Sequence, residues 1–349
     1  MTSSLELIRD LIALPAPPGQ EQVLCNWLQN RLTQMGYSSE QDSKGNVLVT
    51  LDGGGNAPSI LVTAHLDEIA LMITKIESDG KIRVAELGGV YTWKWGEAPV
   101  DILVSGGAIP AVLSYGSIHT NAEESVVEYA RHNPLPFKKA YLFTGKSYEE
   151  LAALGVRPGL RVVLGASRRV VMEFGEFVAS YFLDDRADIA VWLMALEKMR
   201  ADGYTYPGKI VFCASASEEV GGEGARFALT RFPADICVAL EIGPKTPEAD
   251  FPIDSSPVIW VRDGYAAMEA KDGQILEEVC AAEGITPHWQ YLSRGGSDAS
   301  CSSALGLTAR PVTLAFPVDN SHGYEIMHKD APDELLRLFL AYLYRVARM

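Results

Sequence analysis

The first apolar residues of the chain recur at helical spacing. Leu5, Ile8, Leu11 and Ile12 fall on one face, and Ser3 with Glu6 three places on has the spacing of a reciprocal helix cap. The stretch Pro15-Ala16-Pro17-Pro18-Gly19 ends that helix. A second helix carries Val23, Trp27, Leu28, Leu32 and Met35 and stops at Gly36. The pattern then changes. Residues 46–51 and 59–63 are short apolar runs between glycine-rich turns, which predicts strands; the second is apolar almost throughout, as in a strand covered on both faces.

Between about residues 70 and 175 the texture is different again. Short strands at 82–84, 102–104, 109–113, 161–164 and 170–172 are separated by Gly/Pro turns. After Asp184 helices and strands alternate once more: a long helix over about 187–201, a buried strand at 209–214, two further αβ units, and an amphipathic helix from Pro332 to the end. The predicted architecture is a mixed-sheet α/β sandwich interrupted by a small β-rich, barrel-like domain. The boundaries follow as 1–69 and 176–349 for the discontinuous sandwich and 70–175 for the insert.

Length and composition agree with two domains in 349 residues. A net charge of −15 repels phosphate backbones and anionic lipids, so neither nucleic acid nor membrane is an expected partner. The five cysteines, Cys25, Cys213, Cys237, Cys280 and Cys301, form no C-x-x-C pair and suit reduced thiols in the core. The chain opens without a basic region followed by an apolar stretch, and no apolar run reaches the ~18 residues of a membrane span. The expected location is the cytoplasm.

Five places set ionisable residues just after an apolar strand or at a helix start, where sites form in open α/β sheets. His65 and Asp67 follow 60–64 and lie two apart, on one side of an extended chain. Asp184 and Asp185 precede the long helix, where a carboxylate often serves only as a cap. Glu218 and Glu219 follow the strand at 209–214; adjacent side chains diverge, so one can ligate while the other faces a bound water. Glu241 ends an apolar run, and His322 sits in a polar loop after 312–317, with His328 nearby as a rival on composition alone. Each read singly is ordinary surface chemistry. Together, two histidines, a bridging type of aspartate and two glutamates supply what a pair of divalent cations needs, with a free glutamate left to carry a proton.

The order of these motifs resembles the M42 family of metallo-aminopeptidases, the glutamyl and tetrahedral aminopeptidase group. The resemblance runs through Pro17-Pro18-Gly19, Asp42 with Gly45-Asn46, His65-Leu66-Asp67, Leu183-Asp184-Asp185-Arg186, Glu218-Glu219-Val220-Gly221 with Gly224-Ala225, Gly295-Gly296-Ser297-Asp298-Ala299, and His322. It implies an aminopeptidase acting on peptides with a free amino end and using two divalent ions per chain, Zn2+ or Co2+, with Mn2+ as a third choice. Asp184 would bridge the ions, His65 and Glu241 would complete one site, and Glu219 and His322 the other. Glu218 would be the general base and acid, and Asp67 would orient His65. The insert would mediate dimerisation within a homo-oligomer such as a dodecamer.

Three positions depart from the family pattern. Glu241 replaces the usual aspartate, Asp319-Asn320 stand where an arginine–tyrosine pair is common, and Phe143-Thr144-Gly145 lacks an acid often found in the insert. Two other readings compete. A related dinuclear carboxypeptidase or deacylase shares the H-x-D and E-E logic, but carries its insert later in the chain. A metal-free binding protein on the same fold would have lost a ligand, whereas every ligand position here holds a usable donor.

Overall fold

Strands that are apolar on both faces need cover on both faces, and the four central strands of this chain have it. The computed structural model, which describes residues 3–349, sets Gly208–Ser215, Ala57–His65, Ile236–Pro244 and Arg310–Asp319 side by side and parallel, in that order. Antiparallel strands extend the sheet. Val47–Asp52 and Glu40–Gln41 lie beyond Gly208–Ser215, and Glu325–His328, Phe177–Ser180 and Met172–Phe174 lie beyond Arg310–Asp319. Val258–Arg262 also pairs with Arg310–Asp319 and carries His288–Tyr291 at its other edge.

Successive strand residues face opposite layers. Val62, Phe212, Val238 and Leu314 pack with Leu11, Leu28, Trp192, Leu276 and Phe339 from five helices, Ser4–Ile12, Gln22–Gln34, Leu183–Ala201, Ala270–Glu283 and Ala331–Val346. Their neighbours Leu61, Val211 and Cys237 pack the other way, against Ala228 and Leu229 of Glu223–Arg231 and Ala299 of Asp298–Ser303. The result is the expected α/β sandwich with a mixed sheet. All five cysteines are buried and unpaired. The helix expected over 187–201 begins at Leu183, with Asp184 and Asp185 off helical geometry inside its first turn. The strand expected at 170–172 runs instead over Met172–Phe174.

The chain divides into two compact units, one reaching Asp67 and resuming at Val171, the other Glu68–Val170. The second unit is a closed barrel. Its strands follow one another as Ala70–Ile76, Ile82–Leu87, Tyr141–Phe143, Gly107–Ser114, Ala98–Val104 and Arg161–Leu164, which pairs back to the first. Leu71, Val84, Val100, Leu113, Leu142 and Val162 fill it. At its ends Arg169 donates to both oxygens of buried Glu68. The barrel also holds helices the strand texture did not announce: Thr92–Trp95, Val126–His132 and Tyr148–Ala153. The last opens on Ser147 and Glu150, the same reciprocal cap as Ser3 and Glu6.

The Asp42 and Gly45-Asn46 motif is scaffolding. One Asp42 oxygen accepts the backbone N–H groups of Lys44, Gly45 and Asn46, and the other accepts the Asn46 side-chain N–H. Asn46 then accepts the N–H of Ala216 and donates to the carbonyl of Gly224. This ties the strand end at Ser215 to the helix Glu223–Arg231. The approach is close: a Cβ on Gly224 would lie 2.4 Å from both the Ala216 carbonyl oxygen and Asn46 Oδ1. Gly224→Ala is therefore expected to destabilise the protein by about 1–3 kcal/mol through overpacking, read as a lower denaturant midpoint at unchanged slope. An unchanged midpoint would contradict this packing.

Candidate metal centre

The parallel strands all end at one edge of the sheet, and the sequence places its chemistry there. His65 is the last residue of its strand and is paired with Ser215, the last of the next; Leu66 donates to the Ser215 carbonyl at 2.7 Å. Glu218 and Glu219 follow directly. Ala239 is level with Thr63, so Glu241 comes level with His65 two residues on. His322 lies in the turn after Asp319, and Asp184 enters from the first turn of Leu183–Ala201.

Two groups of donors converge, each with atoms within 4.8 Å of one another: His65, Asp184, Asp185 and Glu241, and Asp184, Glu219 and His322. Asp184 belongs to both and turns a different oxygen to each. Its Oδ1 is 2.9 Å from His65 Nε2, and its Oδ2 is 3.5 Å from His322 Nε2. His322 Nε2 is 3.8 Å from Glu219 Oε2. Borderline imidazole nitrogens with several carboxylate oxygens form a donor set suited to Zn2+, Co2+ or Mn2+. Asp185 is fully buried and faces a second buried carboxylate, Asp188, so negative charge is concentrated beside the donors. The residues therefore fit a metal centre.

Buried carboxylates hold the backbone that carries these donors. Asp185 Oδ2 accepts the N–H of His65 at 2.6 Å. Asp67 accepts from Glu218 N at 2.8 Å and Glu219 N at 3.1 Å, one with each oxygen. Glu325 accepts from Asp184 N and His322 N, and Glu21 from Ser217 N. The backbone here is strained. The four non-glycine residues with left-handed φ among the described residues are Phe182, Ser217, Asn320 and His322, at 67°, 56°, 61° and 60°. All flank or belong to the donor segments. Such conformers cost of order 1–3 kcal/mol each and persist where surrounding contacts over-determine them.

Crowding sets the charge states. Burial alone would lower the pKa of His65, but the charge of Asp185 and the bonds to Asp184 and Asp67 outweigh it and hold the imidazole well above its ordinary value. Burial works to raise Asp184, yet the hydrogen bond and charge of His65, aided by His322 and Arg186, bring it below the usual range. Burial pushes Glu241 well up, reinforced by Asp184 and Glu218. Burial likewise lifts Glu218 well up, opposed by His65 and reinforced by Asp298, Glu219 and Asp67. Glu325 and Asp188 are each pushed up to about 8, chiefly by burial.

The residues named from the sequence, His65, Asp67, Asp184, Glu218, Glu219, Glu241 and His322, thus lie at one edge. His65 Nδ1 meets the Asp67 backbone oxygen at 3.0 Å, and the Asp67 carboxylate at 3.6 Å is turned to the Glu218-Glu219 backbone. His328 is elsewhere, against Phe177 and near Glu176. Sequence reading missed Asp185 as a member of the first donor group, and missed Glu21 and Glu325 altogether. The only signals for them were a second acid beside Asp184 and lone glutamates near motif residues.

The sequence profile described as M42 glutamyl aminopeptidase matches residues 45–338. The glutamyl aminopeptidase of Lactococcus lactis subsp. cremoris is 25% identical over 333 residues, 87% of each chain. Among solved structures, the TET1 peptidase of Pyrococcus horikoshii superposes with a TM-score of 0.85 at 23% identity, over 97% of this chain and 98% of that one. An aminopeptidase from the archaeon Desulfurococcus kamchatkensis gives a TM-score of 0.85 at 24% identity, over 97% and 94%. No helix among the described residues is long and apolar enough to cross a membrane.

The charge states give a pH prediction for chelator-stripped protein. Asp188 and Glu325 have folded values of about 8 against ordinary values of 3.8 and 4.5. The folded state therefore holds more protons than the unfolded one through that window, and stability must fall as pH rises across it. His65, also raised, acts in the same direction above its ordinary 6.5. Asp184, lowered, acts oppositely, but only below 3.8. The melting temperature of the stripped protein should drop between about pH 5 and pH 8, and saturating Zn2+ should flatten the drop, because bound cations would deprotonate the ligands and lower the pKa values of the acids beside them. A melting temperature that climbs over this range without metal would contradict the assignment of buried, protonated carboxyls.

Proposed function

This chain belongs to the M42 glutamyl aminopeptidase family, and from that membership we propose how its site works. It is an enzyme, a metal-dependent aminopeptidase that hydrolyses peptides. The observation that carries the proposal is the Asp184 carboxylate, which offers one oxygen to the His65 group and the other to the His322 group. In this reading Asp184 would be shared by two divalent ions, Zn2+, Co2+ or Mn2+. His65 and Glu241, with Asp185 close by, would hold one, and Glu219 and His322 would hold the other. When bound, such a pair polarises a peptide carbonyl and acidifies water.

The chain's own residues do the rest. Glu218 belongs to neither donor group, and burial raises its pKa well above the ordinary carboxylate value, which makes it a stronger base. Its carboxylate takes the proton from the attacking water and returns it to the leaving amine nitrogen. Asp67 holds the Glu218 and Glu219 amides and, through its carbonyl, the His65 ring, so base and ligands keep a fixed relation. The crowd of carboxylates favours a substrate's ammonium end.

A rival preference for carboxyl ends would need a free cation. Arg186 is instead buried and donates to the carbonyls of Leu11, Leu14 and Leu66. The residues 70–175 assigned to the insert include exposed Trp93, Ile118 and Phe143 on the barrel unit. We assign that unit to dimer contacts in a homo-oligomer. The Pyrococcus horikoshii peptidase assembles into a tetrahedron or a large octahedral shell, and this supports the assignment.

Two outcomes are expected. Glu218→Gln should keep its metal content while kcat falls by about 10²–10⁴-fold, whereas Asp184→Asn should lose metal and activity together. Metal analysis beside steady-state kinetics reads both, and a fully active Glu218→Gln enzyme would remove Glu218 from its role. A matched peptide pair tests direction: N-acetylation should abolish cleavage, since it removes the charge the site is built to pair. C-terminal amidation should leave the rate nearly unchanged. Equal cleavage of acetylated and free peptide would defeat amino-end recognition.

A further inference from the structure

We infer that Glu325 is a positioning residue of the metal centre, a single buried carboxylate that sets the spacing between Asp184 and His322. It is 1% exposed and opens the strand Glu325–His328. Its backbone is paired opposite Ser180, just before the turn through Phe182 that leads to Asp184. Its side chain reaches two separate donor segments. Oε2 accepts from Asp184 N at 3.0 Å, and Oε1 accepts from His322 N at 2.9 Å. One carboxylate group thus fixes the distance between two amides that are 138 residues apart in sequence (322 − 184).

Both amides sit where the backbone needs holding. His322 itself is left-handed, with φ 60°, and Asp184 follows left-handed Phe182 by two residues. In its ionised form, which divalent cations beside Asp184 and His322 would favour, the Glu325 carboxylate can accept both N–H groups without offering a donor to either. Glutamine at this position has one acceptor oxygen and turns an NH2 group toward the other N–H. Aspartate keeps the charge but is one methylene shorter and cannot span both amides. Outer groups that orient metal ligands typically change affinity by about 10–100-fold when altered.

The inference rests on the reading of Asp184 and His322 as metal ligands, and the test separates the two. Chelator-stripped wild type, Glu325→Gln and Glu325→Asp are titrated with Co2+, followed by visible absorption and equilibrium dialysis, with thermal melts in chelator as the fold control. Wild type should take two ions per chain. Both variants should melt cooperatively and bind Co2+ more weakly, the ion on the Glu219 and His322 side by about 10–100-fold, with a changed Co2+ spectrum. Two ions bound at wild-type affinity by both variants would overturn the positioning role. Failure of both to melt cooperatively would also overturn it, by assigning Glu325 to the fold. Wild type that binds no Co2+ would overturn the metal reading beneath it.

Discussion

One carboxylate, that of Asp184, faces two donor groups with two oxygens, and the surrounding structure exists to make that possible. Burying acids together is costly unless each is answered by a proton, a cation or a hydrogen-bond donor. This site uses backbone amides for part of that answer. Asp67, Asp185 and Glu325 each accept amides from donor-bearing segments, and Glu21 accepts the amide just before Glu218. Asp67, Glu21 and Glu325 brace the backbone and belong to neither donor group, whereas Asp185 does both: it lies in the His65 group and accepts the His65 amide.

Strain appears where that bracing is strongest. Left-handed Phe182, Ser217 and His322 each lie within two residues of an amide held by a buried carboxylate. The sheet delivers strand ends to one edge, but a strand end points its next residues along the strand. A left-handed residue turns the chain sharply: Ser217 immediately precedes Glu218, Phe182 precedes Asp184 by two residues, and His322 is itself a donor. The cost of that turn is met by the packed layers beneath it, whose apolar strand residues are fully buried on both faces.

The parallel core was legible because its strands are nearly continuous in apolar residues, and the barrel because its short strands alternate with Gly/Pro turns. The donors were legible as acids and histidines immediately after apolar runs, and their order along the chain carried the family resemblance. Other features left no trace in spacing. Glu325 reads as an ordinary glutamate in a short strand, since the amide of Asp184 lies 141 residues away. Asp67 was expected to orient His65; its backbone carbonyl rather than its carboxylate makes the closer contact, a distinction that needs backbone geometry. The barrel's helix at Tyr148–Ala153 carried a capping signal, Ser147 with Glu150, hidden within a strand-like texture.

Glu241 stands where the resemblance led us to expect aspartate, on an arm one methylene longer. It joins the His65 group from within the strand Ile236–Pro244. The central claim is that both groups are occupied at once across Asp184. Crystals soaked in Zn2+ and measured on either side of the zinc absorption edge test it most directly. The account predicts two anomalous peaks per chain, about 3.5–4 Å apart, one beside His65 and Glu241 and the other beside Glu219 and His322. A single peak, or two peaks that do not share Asp184, would contradict it.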